Sequence, residues 1–267
     1  MKRFKWFALP YFIWLLVLVC VPVIILIVLS FAKTDGVSFK DAQASFDNWK
    51  ELKQTYYLKS IWNSLRIAFI STIICAVVGY LAAYIISFSN IKRKMLVLLC
   101  LILPMWTNNL LRIIAWEKLF NTQNIFNIPW SLIGSEGAVI FVTVTTYLPF
   151  MIYPIFTVLE KFDRTLIEAS KDLGVPAWKT FFKVTLPLSI KGVISGVIMV
   201  FLPAATGFAI SERIGGGNIL LIGNIIQNYF DKAFNFNLGA VLAIIIGVVM
   251  ILLILIFQRS DKEDQKA

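Results

Sequence analysis

The chain has 267 residues, 59% of them hydrophobic and only 15% charged, with a mean hydropathy of +0.81 and a formal net charge of +10. Soluble domains carry about 25% charged residues, so a water-soluble fold is the wrong starting point. The sequence contains no histidine, which removes the commonest general base and the usual ligand of catalytic zinc.

The chain opens on Lys2, Arg3 and Lys5, and 27 uncharged residues then run to Lys33. A membrane-spanning helix needs about 20 mainly apolar residues. Ser30-Phe31-Ala32 loosely resembles a cleavage site, but a secretory signal has an apolar core of only about 7–15 residues. An uncleaved first span over about 8–31 is expected. The polar segment 33–60 follows, with a short surface helix expected around 48–58. Between Arg66 and Lys92 lie 25 uncharged residues, giving a span over 63–88. The short connection 89–94 then forces the next span, 95–116, to lie antiparallel beside it. A break in that third span is expected at Leu103-Pro104, directly before Trp106, Thr107, Asn108 and Asn109.

Segment 119–135 holds four Asn and Gln residues and Pro129, and reads as a polar connection. Spans over 138–159, 191–211 and 237–257 follow from charge-free intervals of 23, 20 and 26 residues. Between the last two, segment 214–230 has an apolar centre too short to cross hydrocarbon. It reads as an interfacial or re-entrant helix after a glycine turn, with Asn224, Gln227 and Asn228 at helical spacing. Prolines 10, 22, 104, 149, 154 and 203 sit within or at the ends of spans and predict kinks or interruptions. Gly79-x-x-x-Ala83 and Gly192-x-x-x-Gly196 predict close helix contacts. Cys20, Cys75 and Cys100 lie in apolar stretches and read as packing residues.

The fold class is therefore all-α and polytopic, a single domain over 1–267 with six transmembrane helices. Lysine and arginine placement sets its orientation. With the N-terminus inside, 15 basic residues fall on inner segments and ten outside, and the net charges are +8 and +2. Both termini are expected in the cytoplasm. The pI near 9.5 thus reports topology and not nucleic-acid binding.

The inner loop 160–190 carries the most information. Asp163 can cap a helix that runs to Leu173, Gly174 supplies the turn, and Pro176 suits the first position of a second helix. Trp178, Phe181 and Phe182 then form an apolar stripe, and Leu186-Pro187 closes the unit. On pattern alone this elbow fits either a docking element or an interfacial hairpin with no partner.

Here the sequence resembles the permease subunits of binding-protein-dependent ABC importers. Their signature of Glu-Ala-Ala, three residues, Gly, nine residues, Ile, one residue and Leu-Pro stands as Glu168-Ala169-Ser170, Gly174, Val184 and Leu186-Pro187. Ser170 and Val184 are small departures. The resemblance implies the type I ABC importer permease fold and a coupling elbow of Glu168, Ala169, Ser170, Asp172, Gly174, Leu186 and Pro187 that docks on an ATPase. A finer resemblance, to the spermidine/putrescine permeases of that family, lies in segments 103–112, 149–151 with 159–161, and 201–204 with 215–224. It implies a second permease chain, two ATPase subunits that bind ATP and magnesium, and an extracytoplasmic polyamine-binding protein in a bacterial cytoplasmic membrane.

The chain itself has no Gly-Lys dipeptide and hence no phosphate-cradling loop of its own. No cofactor, metal site or catalytic residue is assigned to it. A polycation needs carboxylates and aromatic faces. Candidates near the outer span ends are Trp106, Asn108, Asn109, Glu117, Tyr147, Phe208, Glu212 and Asp231, with Trp116 and Glu136 beside them. Several of these acids adjoin a base, as in Glu117-Lys118 and Glu212-Arg213, and fit equally as markers of the membrane boundary. Two other functions stay open: a permease for another small solute, and an ion-driven secondary transporter, which would place ionisable groups within its spans.

Overall fold

A computed structural model describes residues 2–35, 38–53, 55–121 and 131–263. Helix α1 (Lys2–Ser30) leads into an antiparallel hairpin of β1 (Ala32–Asp35) and β2 (Ser38–Ala44), paired Ala32 with Ala44 and Lys33 with Gln43. Next come α2 (Asp47–Lys50), a 3₁₀ turn (Glu51–Lys53), α3 (Thr55–Phe88) and α4 (Lys94–Ile102). A second 3₁₀ turn (Leu103–Trp106) precedes α5 (Asn109–Phe120) and α6 (Glu136–Glu160). Then follow α7 (Thr165–Asp172), α8 (Ala177–Thr180), a π turn (Phe181–Thr185), α9 (Leu186–Thr206), α10 (Ala209–Ile214), α11 (Ile222–Asp231) and α12 (Phe236–Glu263).

Among the described residues five helical stretches are long and apolar enough to cross a membrane: Pro10–Ser30, Thr55–Phe88, Glu136–Glu160, Ala177–Thr206 and Phe236–Phe257. The expected third span is a bent pair, Lys94–Trp106 and Asn109–Phe120, at 84° to one another. Its break falls at Thr107 and Asn108, three residues beyond the expected Leu103-Pro104. Pro104 is accommodated where α4 tightens into the 3₁₀ segment, and the helical stretch runs on to Trp106. The chain turns where Thr107 and Asn108 both leave helical geometry, and Asn108 Oδ1 accepts from Leu110 N–H at 2.8 Å, capping α5.

Other elements differ from expectation. The fifth span ends at Thr206 and not 211, because Gly207 is extended and its N–H returns to Pro203 O at 2.8 Å. The surface helix expected over 48–58 is only the short α2, since Thr55 onward already belongs to α3. The β-hairpin was not anticipated; neither strand has the β-branched, alternating pattern that marks one. Of the polar connection 119–135, residues 122–130 lie outside the described residues.

The chain groups into two compact units. One comprises 1–61 and 222–249, the other 62–221 and 250–267. In the first, Asn237 Nδ2 donates to Leu29 O at 3.0 Å and also to Ala32 O, joining α12 to the end of α1. Phe31 stacks on Trp49 at 5.4 Å and meets Phe46 edge-on at 5.3 Å. The hydroxyls of Tyr57 and Tyr229 share a 2.6 Å hydrogen bond. Following the glycine turn, where Gly216 and Gly217 take positive φ, α11 forms as expected with Asn224 buried.

In the second unit α6 and α9 pack along their lengths, and the small residues explain how. A side chain at Gly192 would lie 2.9 Å from Pro154 O, and one at Gly196 would lie 2.5 Å from Met151 Sδ. Gly79 on α3 is equally closed, with Met151 Cγ 2.8 Å from where its Cβ would be. Met151 is thus wedged between two glycines of different helices and is fully buried. Tyr80 and Ser189 add a buried 2.8 Å hydrogen bond between α3 and α9. A second apolar cluster, including Ile67, Ile113, Val142 and Ile214, ties α3, α5, α6 and α10.

Candidate functional site

The elbow is built from local rules. Asp163 Oδ1 accepts from the Thr165 hydroxyl at 2.8 Å and from Thr165 N–H at 3.0 Å, which starts α7. These two bonds hold its carboxyl below the usual carboxylate range. Helix α7 ends at Asp172, and Gly174 at φ +71° reverses the chain, donating to Lys171 O at 2.8 Å. Pro176 stands one residue before α8 as its cap and not inside it. Ser170, where the family signature has alanine, bonds the Thr180 hydroxyl at 2.8 Å and closes the two arms of the turn.

Two features depart from the sequence reading. The apolar stripe divides: Phe181 packs edge-on against Tyr80 and Tyr84, whereas Trp178 and Phe182 stay exposed with Leu166 and Leu173. Leu186-Pro187 does not close the unit. Leu186 N–H reaches back five residues to Phe181 O, and this π turn widens the helix ahead of Pro187. The proline N–H that would have bonded Lys183 is not needed, so the helix continues from Ala177 to Thr206.

The elbow is anchored at one carbonyl that the sequence reading missed. Arg164 Nη2 donates to Ser87 O at 2.8 Å, and Lys94 Nζ donates to the same oxygen. Ser87 lies in the last turn of α3, whose terminal carbonyls attract cations. Arg164 also lies over the Phe88 ring at 5.6 Å, and Lys94 stands 4.0 Å from Glu160. The end of α3, the start of α4 and the start of the elbow therefore meet at a single acceptor. Beside them is a crevice of about 320 Å³ lined by Tyr84, Phe88, Arg164, Glu168, Lys171 and Thr180. Glu168, Ala169, Asp172, Gly174 and Pro187 are exposed; Ser170 and Leu186 are half-buried.

At the other end of the same continuous helix is a cavity of about 190 Å³. Asn109, Thr143, Tyr147, Pro203, Thr206 and Phe208 line it, with Ile113 and Val139 behind. Tyr147 Oη donates to Pro203 O at 3.5 Å. The cavity therefore brings Asn109, Tyr147 and Phe208 together, three of the eight residues expected along the substrate pathway. Asn108 caps α5 next to them. Trp106 is exposed and outside the lining. Glu117 forms an ion pair with Arg213 at 3.1 Å, and Glu136 pairs with Arg66 at 2.5 Å, as residues marking a boundary do. Glu212 is exposed on α10, and Asp231 ends α11 in the other unit. Among the described residues no group of His, Cys, Asp and Glu is arranged to hold a metal.

The chain is 35% identical over 261 residues to the spermidine/putrescine transport system permease protein PotB of Haemophilus influenzae, covering 94% of this chain and 91% of that one. It is 34% identical over 259 residues to PotB of Escherichia coli, covering 93% and 94%. Its fold matches a chain of a bacterial ABC transporter involved in the import of the acidic polysaccharide alginate, with a TM-score of 0.81 over 98% of this chain and 96% of that one at 15% identity. Residues 76–262, from the middle of α3 to the end of α12 and including the elbow and the cavity, match one family throughout. The chain belongs to the family of binding-protein-dependent transport system inner membrane components.

Proposed function

We propose that this chain is the permease subunit of an ATP-driven importer of polyamines, spermidine or putrescine, and forms half of the translocation path. The observation that carries the substrate is the 35% identity, along nearly the whole chain, to a permease named for spermidine and putrescine. The elbow of Glu168, Ala169, Ser170, Asp172, Gly174, Leu186 and Pro187 is the docking element for an ATPase that binds ATP and magnesium. Its exposed Leu166, Leu173, Trp178 and Phe182 supply an apolar face for that contact. An extracytoplasmic binding protein delivers the polyamine, and a second permease chain completes the path. Both termini lie in the cytoplasm.

The mechanism follows from the continuous helix. Thirty residues from Ala177 to Thr206 span about 45 Å at 1.5 Å per residue. One end carries the elbow and the other the cavity wall at Pro203, Ala204 and Thr206. When ATP binding closes the partner subunits, the elbow moves as a rigid body and α9, locked to α6, carries that motion to the wall. The amide of Asn109, the hydroxyls of Thr143 and Tyr147 and the Phe208 ring suit ammonium groups by hydrogen bonding and cation–π contact.

A second reading, import of another small solute, is favoured by one observation: neither Glu117 nor Glu212 lines the cavity. ATP hydrolysis by the reconstituted complex with its binding protein separates the two. Stimulation by spermidine or putrescine is expected; vigorous hydrolysis indifferent to both would discard the substrate, and failure of any ATPase to assemble would discard the importer.

A further inference from the structure

Within the larger unit, α3, α9 and α12 enclose a side groove of about 350 Å³ that has nothing to do with the cavity. Trp62, Leu65 and Phe69 form one stripe of α3, faced by Phe201 and Leu253, and Arg66 closes the lining. The groove exposes no polar surface, so water is a poor occupant and a hydrocarbon chain a good one. Further along, where Phe201 meets Phe257 at a ring separation of 6.4 Å, the crevice has no room for even a water molecule. It therefore accepts a chain from the Arg66 side and ends.

The charges at that side distinguish among occupants. Arg66 immediately precedes the charge-free run of α3, and Glu136 is the first residue of α6. Both thus stand where apolar helix meets headgroups, with Trp62 one turn further out, the usual level of interfacial tryptophan. The two form an ion pair in which Arg66 gives Glu136 one Nη2, and their side chains remain 44% and 38% exposed. A guanidinium has five N–H donors, so most of its capacity is still available. A covering protein helix would desolvate this pair at its rim. A headgroup with one phosphate and one ammonium meets both charges, phosphate on Arg66 and ammonium on Glu136, and leaves them in the interfacial layer.

The geometry points to a phospholipid site of stated chemistry: an acyl chain in the Trp62–Phe69–Phe201–Leu253 groove and an ethanolamine-type headgroup, bearing a hydrogen-bonding ammonium, across Arg66 and Glu136. A choline headgroup has no N–H to give Glu136, and a glycerol headgroup has no cation. The test is native mass spectrometry of the purified complex after incubation with equal amounts of phosphatidylethanolamine, phosphatidylcholine and phosphatidylglycerol. Retention of the ethanolamine lipid about tenfold above either other is expected, falling to their level in Arg66→Gln and Glu136→Gln. The double exchange Arg66→Glu with Glu136→Arg restores it, which guards against a folding defect in the single variants. Equal retention of the three lipids, or full retention in Arg66→Gln, overturns the proposal. So does a photo-crosslinker at Phe69 that captures the second permease chain instead of lipid; capture of lipid supports it.

Discussion

The most constrained single residues are glycines and the methionine they hold. At Gly192 a Cβ would meet the backbone of α6, Pro154 O at 2.9 Å and Ile155 Cα at 3.0 Å, atoms that cannot rotate away. Gly192→Val should therefore force the two helices apart at a cost of about 1–3 kcal/mol, seen as a lowered Tm of the purified complex. The glycine spacing was legible in the sequence; that Met151 fills the space between Gly79 and Gly196 was not, because methionine is at home anywhere in an apolar run. In the cavity, Phe208 is the exposed aromatic face closest in kind to what an ammonium seeks. A cation–π contact contributes about 0.5–2 kcal/mol, so Phe208→Ala should raise the half-saturating polyamine concentration for uptake by about 2- to 30-fold. Unchanged uptake in this variant would remove Phe208 from the path. Glu117 and Glu136 lie outside the cavity lining for a reason visible only in three dimensions: each turns to an arginine distant in sequence, Arg213 and Arg66.

Among the elements, the elbow was the most legible, since a cap, a glycine and a proline each declare a backbone conformation. Its attachment was not, because an arginine on a helix that is otherwise solvent-facing gives no sign of the carbonyl it will find. Arg164 and Lys94 both donate to Ser87 O, but only Arg164 belongs to the elbow, so removing Arg164 takes away the elbow's bond to the end of α3. Arg164→Ala is expected to keep basal ATP hydrolysis while lowering the polyamine imported per ATP several-fold, and Arg164→Lys to recover part of it. A proportional loss of both would mean that Arg164 serves assembly only. The third span shows the opposite lesson. Its proline was plain in the sequence, yet the 84° bend comes at the asparagine that caps the next helix. A cap actively satisfies the N–H groups that a new helix axis leaves open, whereas a proline merely lacks one.

For the whole molecule, charge-free intervals located the apolar helices well because hydrocarbon tolerates few alternatives. They could not reveal the hairpin of β1 and β2, whose strands are polar and short, nor the grouping of 222–249 with the N-terminal residues. Orientation rests on the excess of lysine and arginine assigned to one side. Single cysteines placed at Ser45 and at Leu173, in a chain with Cys20, Cys75 and Cys100 replaced, should separate under an impermeant thiol reagent. Position 45 should label in intact cells and position 173 only after lysis; the reverse pattern would invert the topology.

The π turn has a consequence for the angular register of the molecule. Each helical residue advances about 100° around the axis, and the extra residue held in Phe181–Thr185 sets how far the elbow is rotated relative to the part of α9 that packs on α6. The direction in which Trp178 and Phe182 point is thus encoded by the length of this segment more than by its side chains. Deleting Lys183 alone should swing the proposed docking face by about a quarter turn and abolish ATPase co-purification, while Lys183→Ala leaves it intact. The helix works as a key whose teeth at one end are cut to an angle fixed at the other.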